Sequence, residues 1–265
     1  MPAGLPAAAA KNVPGRRDLP AEDGAKGEKR AMVLTPSQAR AFYDRFGKKQ
    51  DWQFFYEDRA IDDLVAHAAF ERAQSLFELG PGTGRLAERL LSEHLPASAS
   101  YLGMDISGTM VGLATRRLSR YADRAKVIQS DGTMRFPLAD RCVDRVVSTY
   151  VLDLLGEPDI RAFMAEAHRV LTPGGKLCLV SLTRGASAGS RLVIALWSAA
   201  FRLTASLVGG CRPIQLDSFL EPEGWSIAYR HVSAPLGVPS EALIATPRNG
   251  PDDTSGKGEK QGDRL

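Results

Sequence analysis

Apolar and polar positions along the chain follow two different periods. From residue 35 to about 70 the period is helical. Thr35 and Pro36 make a helix start, Ala39, Phe42, Tyr43 and Phe46 recur at helical spacing, and Gly47 is a stop. Ile61, Leu64, Val65 and Ala68 then place one apolar face on a second helix over 58–70. From residue 75 onward, short apolar or β-branched runs take turns with helical ones. This predicts strands at 75–79, 100–104, 125–129, 143–149 and 176–182. Helices are expected over 85–94, from the cap Ser107 through Met110, Leu113, Ala114 and Leu118, and over 158–170, with Pro173, Gly174 and Gly175 as the turn into the fifth strand. Parallel strands need crossover helices that cover both sheet faces, so the series predicts a three-layer, doubly wound α/β domain. The last two runs, 226–232 and 241–246, are joined only by a short segment holding Pro235, Gly237 and Pro239. That gap is too short for a crossover, so a mostly parallel seven-stranded sheet should end in an antiparallel hairpin.

Composition adds bounds to this picture. With 265 residues, 44% hydrophobic and 25% charged, the chain has the makeup of an ordinary globular protein, which excludes collagen, coiled coil and wholesale disorder. Residues 1–31 and 249–265 mix Gly, Pro and charges with few large apolar side chains, so both tails are expected to stay disordered around a domain spanning 32–248. A net charge of +3 does not single out nucleic acid as a partner. Cys142, Cys178 and Cys211 have no C-x-x-C spacing and His67, His94, His168 and His231 are scattered, so neither a disulfide framework nor a metal site is expected. No basic segment followed by an apolar one opens the chain, and Asp18, Glu22, Asp23 and Glu28 oppose a transit peptide; the expectation is a cytoplasmic protein.

Candidate chemistry concentrates at the ends of the first three strands. Glu78-Leu79-Gly80-Pro81-Gly82-Thr83-Gly84 joins the first strand to its helix, where glycine lets the backbone approach a ligand and the helix start offers unpaired N–H groups. A tight turn with no ligand is the plain alternative. Asp105 closes the second strand, 21 residues after Gly84, at the spacing where a carboxylate accepts hydrogen bonds from ribose hydroxyls. It could instead simply precede the Ser107 cap. Asp131, followed by Gly132 and Thr133, takes the next position along the same edge and could receive an adenine amino group.

These residues resemble the class I S-adenosylmethionine-dependent methyltransferases of the small-molecule type, whose Rossmann-like sheet also ends in an antiparallel hairpin. The resemblance covers about residues 35–247 and rests on five stretches in the family's order. They are 78–84, Gly103-Met104-Asp105-Ile106-Ser107, Asp131-Gly132, Phe136-Pro137-Leu138 leading to Asp144, and 168–175. It implies S-adenosyl-L-methionine as cofactor. Gly80, Gly82, Thr83 and Gly84 would pass beneath its methionyl part, and Glu78 would orient those surroundings or meet its amino group. Asp105 would hold the ribose, Asp131 and Gly132 would contact adenine, and Ile106 and Met110 would pack on its ring. Two other readings stay open. Gly82-Thr83-Gly84-Arg85-Leu86-Ala87 also matches the G-x-G-x-x-A of an NAD(P)-dependent oxidoreductase, although Glu78, the hairpin and the lack of a Tyr-x-x-x-Lys set disfavour it. A non-catalytic S-adenosylmethionine-binding module is the third.

Methyl transfer is an in-line displacement, so alignment and exclusion of water come before acid or base strength. If the acceptor must lose a proton, Tyr150 and Asp153 are the catalytic candidates after the fourth strand, with Asp153 alternatively capping the turn before Pro158. The resemblance suggests that the segment 35–70 folds as a helical lid. Its aromatics Tyr43, Phe46, Phe54, Phe55 and Tyr56, with Tyr150, would line a pocket for a small, apolar or amphipathic acceptor, or else pack as core. The segment 188–212 is an apolar insertion. Its stretch 191–210, opened by Arg191 and closed by Gly210, is interrupted by Arg202, so it is not expected to span a membrane. As an amphipathic helix it could cover the pocket, dock a second subunit or lie at a membrane surface.

Overall fold

The computed structural model describes residues 35–46, 54–185, 194–195 and 211–248. Seven strands form one sheet: β1 (Ser75–Leu79), β2 (Ser100–Asp105), β3 (Ala125–Gln129), β4 (Val143–Thr149), β5 (Leu171–Leu182), β6 (Trp225–Ser233) and β7 (Ser240–Pro247). Their order is β3-β2-β1-β4-β5-β7-β6, with β1 to β5 parallel and β7 antiparallel to both β5 and β6. The sheet therefore has the predicted form, a parallel body closed by an antiparallel hairpin. Because the chain runs from β1 outward to β3 and returns on the other side of β1 as β4, the carboxyl ends of β1 and β4 flank a topological switch point, where a crevice opens.

Alternation along β1 shows how the two faces are covered. Leu76 points to the face where α2 (Phe54–Ala68), α3 (Arg85–Arg89) and the turn that follows α3 supply Leu64, Val65, Leu86 and Leu90. Phe77 and Leu79 point to the other face, where α5 (Glu157–Val170) supplies Ile160, Phe163 and Ala167. On that second face Phe77, Phe136 and Phe163 make a chain of rings with centroids 4.4 and 5.8 Å apart. Each such fully buried side chain contributes about 1.5–3 kcal/mol. The remaining helices are α1 (Pro36–Phe46), which rests on α4 (Gly108–Arg117), and α4 itself, which packs on β2 and β3.

Three boundaries differ from the periodicity. The second helix ends at Ala68 because Ala69 turns left-handed at φ 54°, and the buried Arg145 of β4 donates to the freed carbonyls of Ala68 (2.9 Å) and Ala69 (2.7 Å). The helix after β1 changes at Leu90–His94 to a wider, π-helical turn. The fifth strand begins at Leu171. Pro173, Gly174 and Gly175 form a bulge within it, since Val143 pairs with Leu171 and Arg145 next pairs with Lys176.

The expected tails and most of the stretch 191–210 lie outside the described residues; Ile194, which is described, is buried. Among the described residues no helix is long and apolar enough to cross a membrane, and no cluster of His, Cys, Asp and Glu is placed to hold a metal ion.

Candidate functional site

The turn after β1 is built on backbone conformations that L side chains resist. Gly80, Gly82 and Gly84 have φ of 72°, 55° and 78°. The amide of Gly80 donates to the Met104 carbonyl (2.8 Å), that of Gly82 to Asp105 Oδ2 (3.1 Å) and that of Gly84 to the Pro81 carbonyl (2.9 Å). The turn is thus bonded to the end of β2. A Cβ on Gly80 would stand 2.4 Å from Val151 Cγ2, and one on Gly84 would stand 3.0 Å from the Ala114 backbone. The first glycine lets the loop after β4 approach, and the third lets α3 seat against α4.

Asp105 is the hub. Its Oδ1 accepts from the Ser107 amide (2.9 Å) while Oδ2 takes the Gly82 amide, so one carboxylate joins the glycine turn to the start of α4. Burial pushes its pKa up to about 6, against the lowering effect of those amides. Ser107 caps α4 by accepting from the Met110 amide (3.2 Å), and its hydroxyl donates to Asp44 Oδ1 of α1 (2.6 Å). The Thr109 amide also donates to Asp44 (3.3 Å), and the Ser107 hydroxyl holds that carboxyl below its ordinary range. Asp44 thereby fastens α1 at the helix start, with Tyr43 facing the space beneath.

That space is a cleft of about 1030 Å³, mouth included. Leu79, Gly80, Gly82, Met104, Asp105, Ile106 and Met110 form one wall, Ser130, Gly132 and Met134 a second, and Thr149, Tyr150, Val151, Leu154, Leu155 and Asp159 a third, with Tyr43 from α1 over them. None of these lining residues is Lys, Arg or His. Apolar side chains dominate, and the two ionisable carboxyls stand at different walls.

Of the residues singled out in the sequence, Tyr43, Gly80, Gly82, Asp105, Ile106, Met110, Gly132 and Tyr150 meet in this cleft. Others stand elsewhere. Glu78 is buried behind the turn, where the Tyr101 hydroxyl donates to its Oε2 (2.7 Å). Burial raises the Glu78 carboxyl to about 7, with the Asp105 charge adding to the effect and Tyr101 opposing it. Thr83 faces a smaller hollow shared with Arg85 and Arg89, and its Oγ1 accepts from Arg117 (2.8 Å). Gly84 is spent on helix packing. Asp131 is exposed and its Oδ1 accepts from both the amide and the hydroxyl of Thr133, 2.8 Å each, while its neighbours Ser130 and Gly132 take the cleft positions.

Tyr150 has φ 54°, and its hydroxyl donates to Ser240 Oγ (2.9 Å). Asp153 is fully buried outside the cleft lining. Its Oδ2 accepts from the Leu182 amide (3.3 Å), so it ties the loop after β4 to the end of β5 instead of capping the turn before Pro158. Burial pushes its carboxyl up to about 7. Phe46 lies on α1 and Phe54, Phe55 and Tyr56 on α2, but their side chains are outside the described residues.

Ser130, Met134, Thr149, Val151, Leu154, Leu155 and Asp159 also line the cleft without having been singled out. The available signal was position alone: they end or follow β3 and β4 at the carboxyl edge, where doubly wound sheets place their ligands.

Residues 76–175 match the family model described as a methyltransferase domain. The chain is 36% identical over 121 residues to an arsenite methyltransferase of Aquipseudomonas alcaligenes, covering 43% of this chain and 34% of that protein. It is 28% identical over 162 residues to a malonyl-[acyl-carrier protein] O-methyltransferase of a Marinomonas species, covering 58% of each. It thus spans between a third and three fifths of the length of these curated relatives. The N-methyltransferase NodS from Bradyrhizobium japonicum, solved in complex with S-adenosyl-L-homocysteine, superimposes with a TM-score of 0.60 over 80% of this chain and 99% of that one, at 16% identity. Strand order, terminal hairpin and glycine turn agree with the match: residues 76–175 are a methyltransferase domain, set in a Rossmann-like sheet of the kind found in class I S-adenosylmethionine-dependent methyltransferases.

Proposed function

We propose that the protein transfers a methyl group from S-adenosylmethionine to a small, uncharged or cationic acceptor with an apolar body. The observation that carries this reading is the meeting of Gly80, Gly82 and Asp105 on one wall of a largely apolar cleft at the switch point. The donor set fits the cofactor. The Asp105 carboxylate, with the Gly82 amide on one oxygen and the Ser107 amide on the other, stands at the cleft wall as an acceptor for ribose hydroxyls. Ile106 and Met110 offer an apolar surface for a base, and Ser130 and Gly132 offer polar backbone beside it. Glu78, just behind the turn, would serve as counter-charge for the methionyl amino group.

When bound, the cofactor supplies a methyl group activated by a sulfonium. The chain's own part is alignment and exclusion of water: Tyr43 covers the cleft from α1, and Met134, Leu154 and Leu155 form an apolar surface that would hold an acceptor close. With no basic side chain among the described residues of the lining, phosphorylated or carboxylated acceptors would find no counter-ion there, whereas Asp159 at the start of α5 favours a neutral or cationic group. A phenol engaged with Ser240 and a carboxylate buried behind the wall do not form an obvious base, so the reading assigns no obligatory proton transfer.

Isothermal titration with S-adenosylhomocysteine and, separately, NAD tests the cofactor. Binding of the first alone is expected, and binding of NAD alone would overturn the reading. Transfer of labelled methyl groups to a panel of neutral, cationic and anionic small molecules tests the acceptor class. Turnover confined to anionic acceptors would refute the class proposed.

A further inference from the structure

We propose that Tyr101 is a positioning residue for the cofactor: its hydroxyl fixes the Glu78 carboxylate as a buried counter-charge beneath the glycine turn, where the ammonium end of S-adenosylmethionine is neutralised. The inference rests on the cofactor reading above.

The geometry ties four residues to one purpose. Glu78 of β1 pairs in register with Gly103 of β2, and Tyr101 lies two residues before Gly103 on the same strand face. The phenol reaches along β2 across Gly103 to Glu78. A Cβ on Gly103 would stand 2.8 Å from the Tyr101 hydroxyl and 3.0 Å from Pro81 Cγ, so the glycine vacates the path by which the ring reaches both the carboxylate and the underside of the turn. Tyr101 is only 3% exposed and its hydroxyl bonds to Glu78 at 2.7 Å. A phenylalanine would fill the same volume without a polar group to bury, so packing alone does not account for the hydroxyl.

Glu78 has the complementary need. It is 1% exposed, and among the described residues the groups that bear on its charge are Tyr101 and Asp105, both of β2; no cation is among them. A buried carboxylate without a cation is incomplete, and a bound ligand carrying positive charge would complete it. The phenol keeps the site ready by favouring the ionised carboxylate against burial, which alone pushes it upward. Removing the hydroxyl therefore raises the Glu78 pKa further and leaves the carboxyl neutral at pH 7.

The test is calorimetric titration of wild type and Tyr101→Phe between pH 6.5 and 9 with two nucleosides. One is S-adenosylhomocysteine; the other, 5′-methylthioadenosine, lacks the amino-acid end. Taking the ratio of variant to wild-type Kd cancels the ligand's own titration. For S-adenosylhomocysteine the ratio is expected to be about 5 at pH 7, larger at pH 6.5, and to fall toward 1 by pH 9, as a shift of about one pKa unit upward from about 7 requires. For methylthioadenosine it should stay near 1 throughout. Gly103→Ala, which displaces the phenol without removing it, should show the same pH-shaped loss and serves if Tyr101→Phe does not fold. In a Glu78→Gln background Tyr101→Phe should add no pH dependence. A ratio that is flat with pH, or equal for the two nucleosides, means a merely structural role and overturns the proposal alone. Failure of the wild type to bind either nucleoside overturns the cofactor reading and the proposal with it.

Discussion

At Gly80 two separate constraints act on one residue. Its φ of 72° costs an L side chain about 1–2 kcal/mol, and a Cβ there would collide with Val151 at 2.4 Å. Gly80→Ala is therefore expected to destabilise the protein by about 2–3 kcal/mol in urea denaturation, within the range for backbone strain plus overpacking. Adding Val151→Ala should return the steric share and leave the conformational one, and a double variant as unstable as the single one would contradict that division. Asp105 acts differently, through charge and hydrogen bonding. Asp105→Ala removes a charged acceptor whose bonds contribute about 1.5–3 kcal/mol. S-adenosylhomocysteine should bind at least about 10-fold more weakly by calorimetry, and an unchanged Kd would remove Asp105 from the site. The half of the site built on glycines and Asp105 was legible in the sequence because those residues act through the backbone at fixed spacing. Tyr101, Asp44 and Asp153 were not legible in their roles. Their partners lie 23, 63 and 29 residues away in sequence, and only the folded sheet brings them together.

Among the elements, α1 rests on α4 and brings Tyr43 over the cleft. Its polar contacts to the rest of the fold include those of Asp44 with the Ser107 hydroxyl and the Thr109 amide at the start of α4, where a carboxylate also meets the positive end of the helix. Such a contact at an exposed helix start contributes about 0.3–1 kcal/mol, enough to bias closure and too little to govern global stability. Asp44→Asn should accordingly speed proteolytic cleavage near α1 and weaken cofactor binding by about 2- to 5-fold, with little change in Tm. A fall in Tm as large as that of a core variant would mean that α1 belongs to the core and is not a cover. Periodicity found every one of the seven strands and the antiparallel ending. It misjudged ends where a tertiary contact decides. Ala69 is held left-handed beside the Arg145 guanidinium, and the Pro173 to Gly175 bulge reads locally as a turn because its pairing to β4 on either side is invisible in a single strand.

Over the whole molecule, three buried carboxyls set the direction in which stability changes with pH. Glu78, Asp105 and Asp153 are raised to about 7, 6 and 7, each chiefly by burial. An acid that holds its proton more tightly when folded contributes stability that is full below its unfolded pKa and is lost as pH rises to the folded value. These three therefore act between about pH 4 and 7. Asp44, Asp131 and Glu166 are lowered, and their contributions disappear only on acidification below the ordinary carboxylate range, so the two groups do not compete in the same window. The Tm of the ligand-free protein should fall by roughly 5 °C or more between pH 5 and pH 8. Asp153→Asn should flatten that slope while leaving the Tm increment from S-adenosylhomocysteine unchanged, since its carboxyl stands outside the cleft. Glu78→Gln should flatten the slope and also remove the rise of that increment with pH, because there the ligand's ammonium offsets a charge that burial resists. Scanning fluorimetry across pH 5 to 8 separates the two: equal effects of both variants on the increment would deny Glu78 its part in binding, whereas a Tm that climbs with pH would show that these acids are ionised freely and that burial does not govern them.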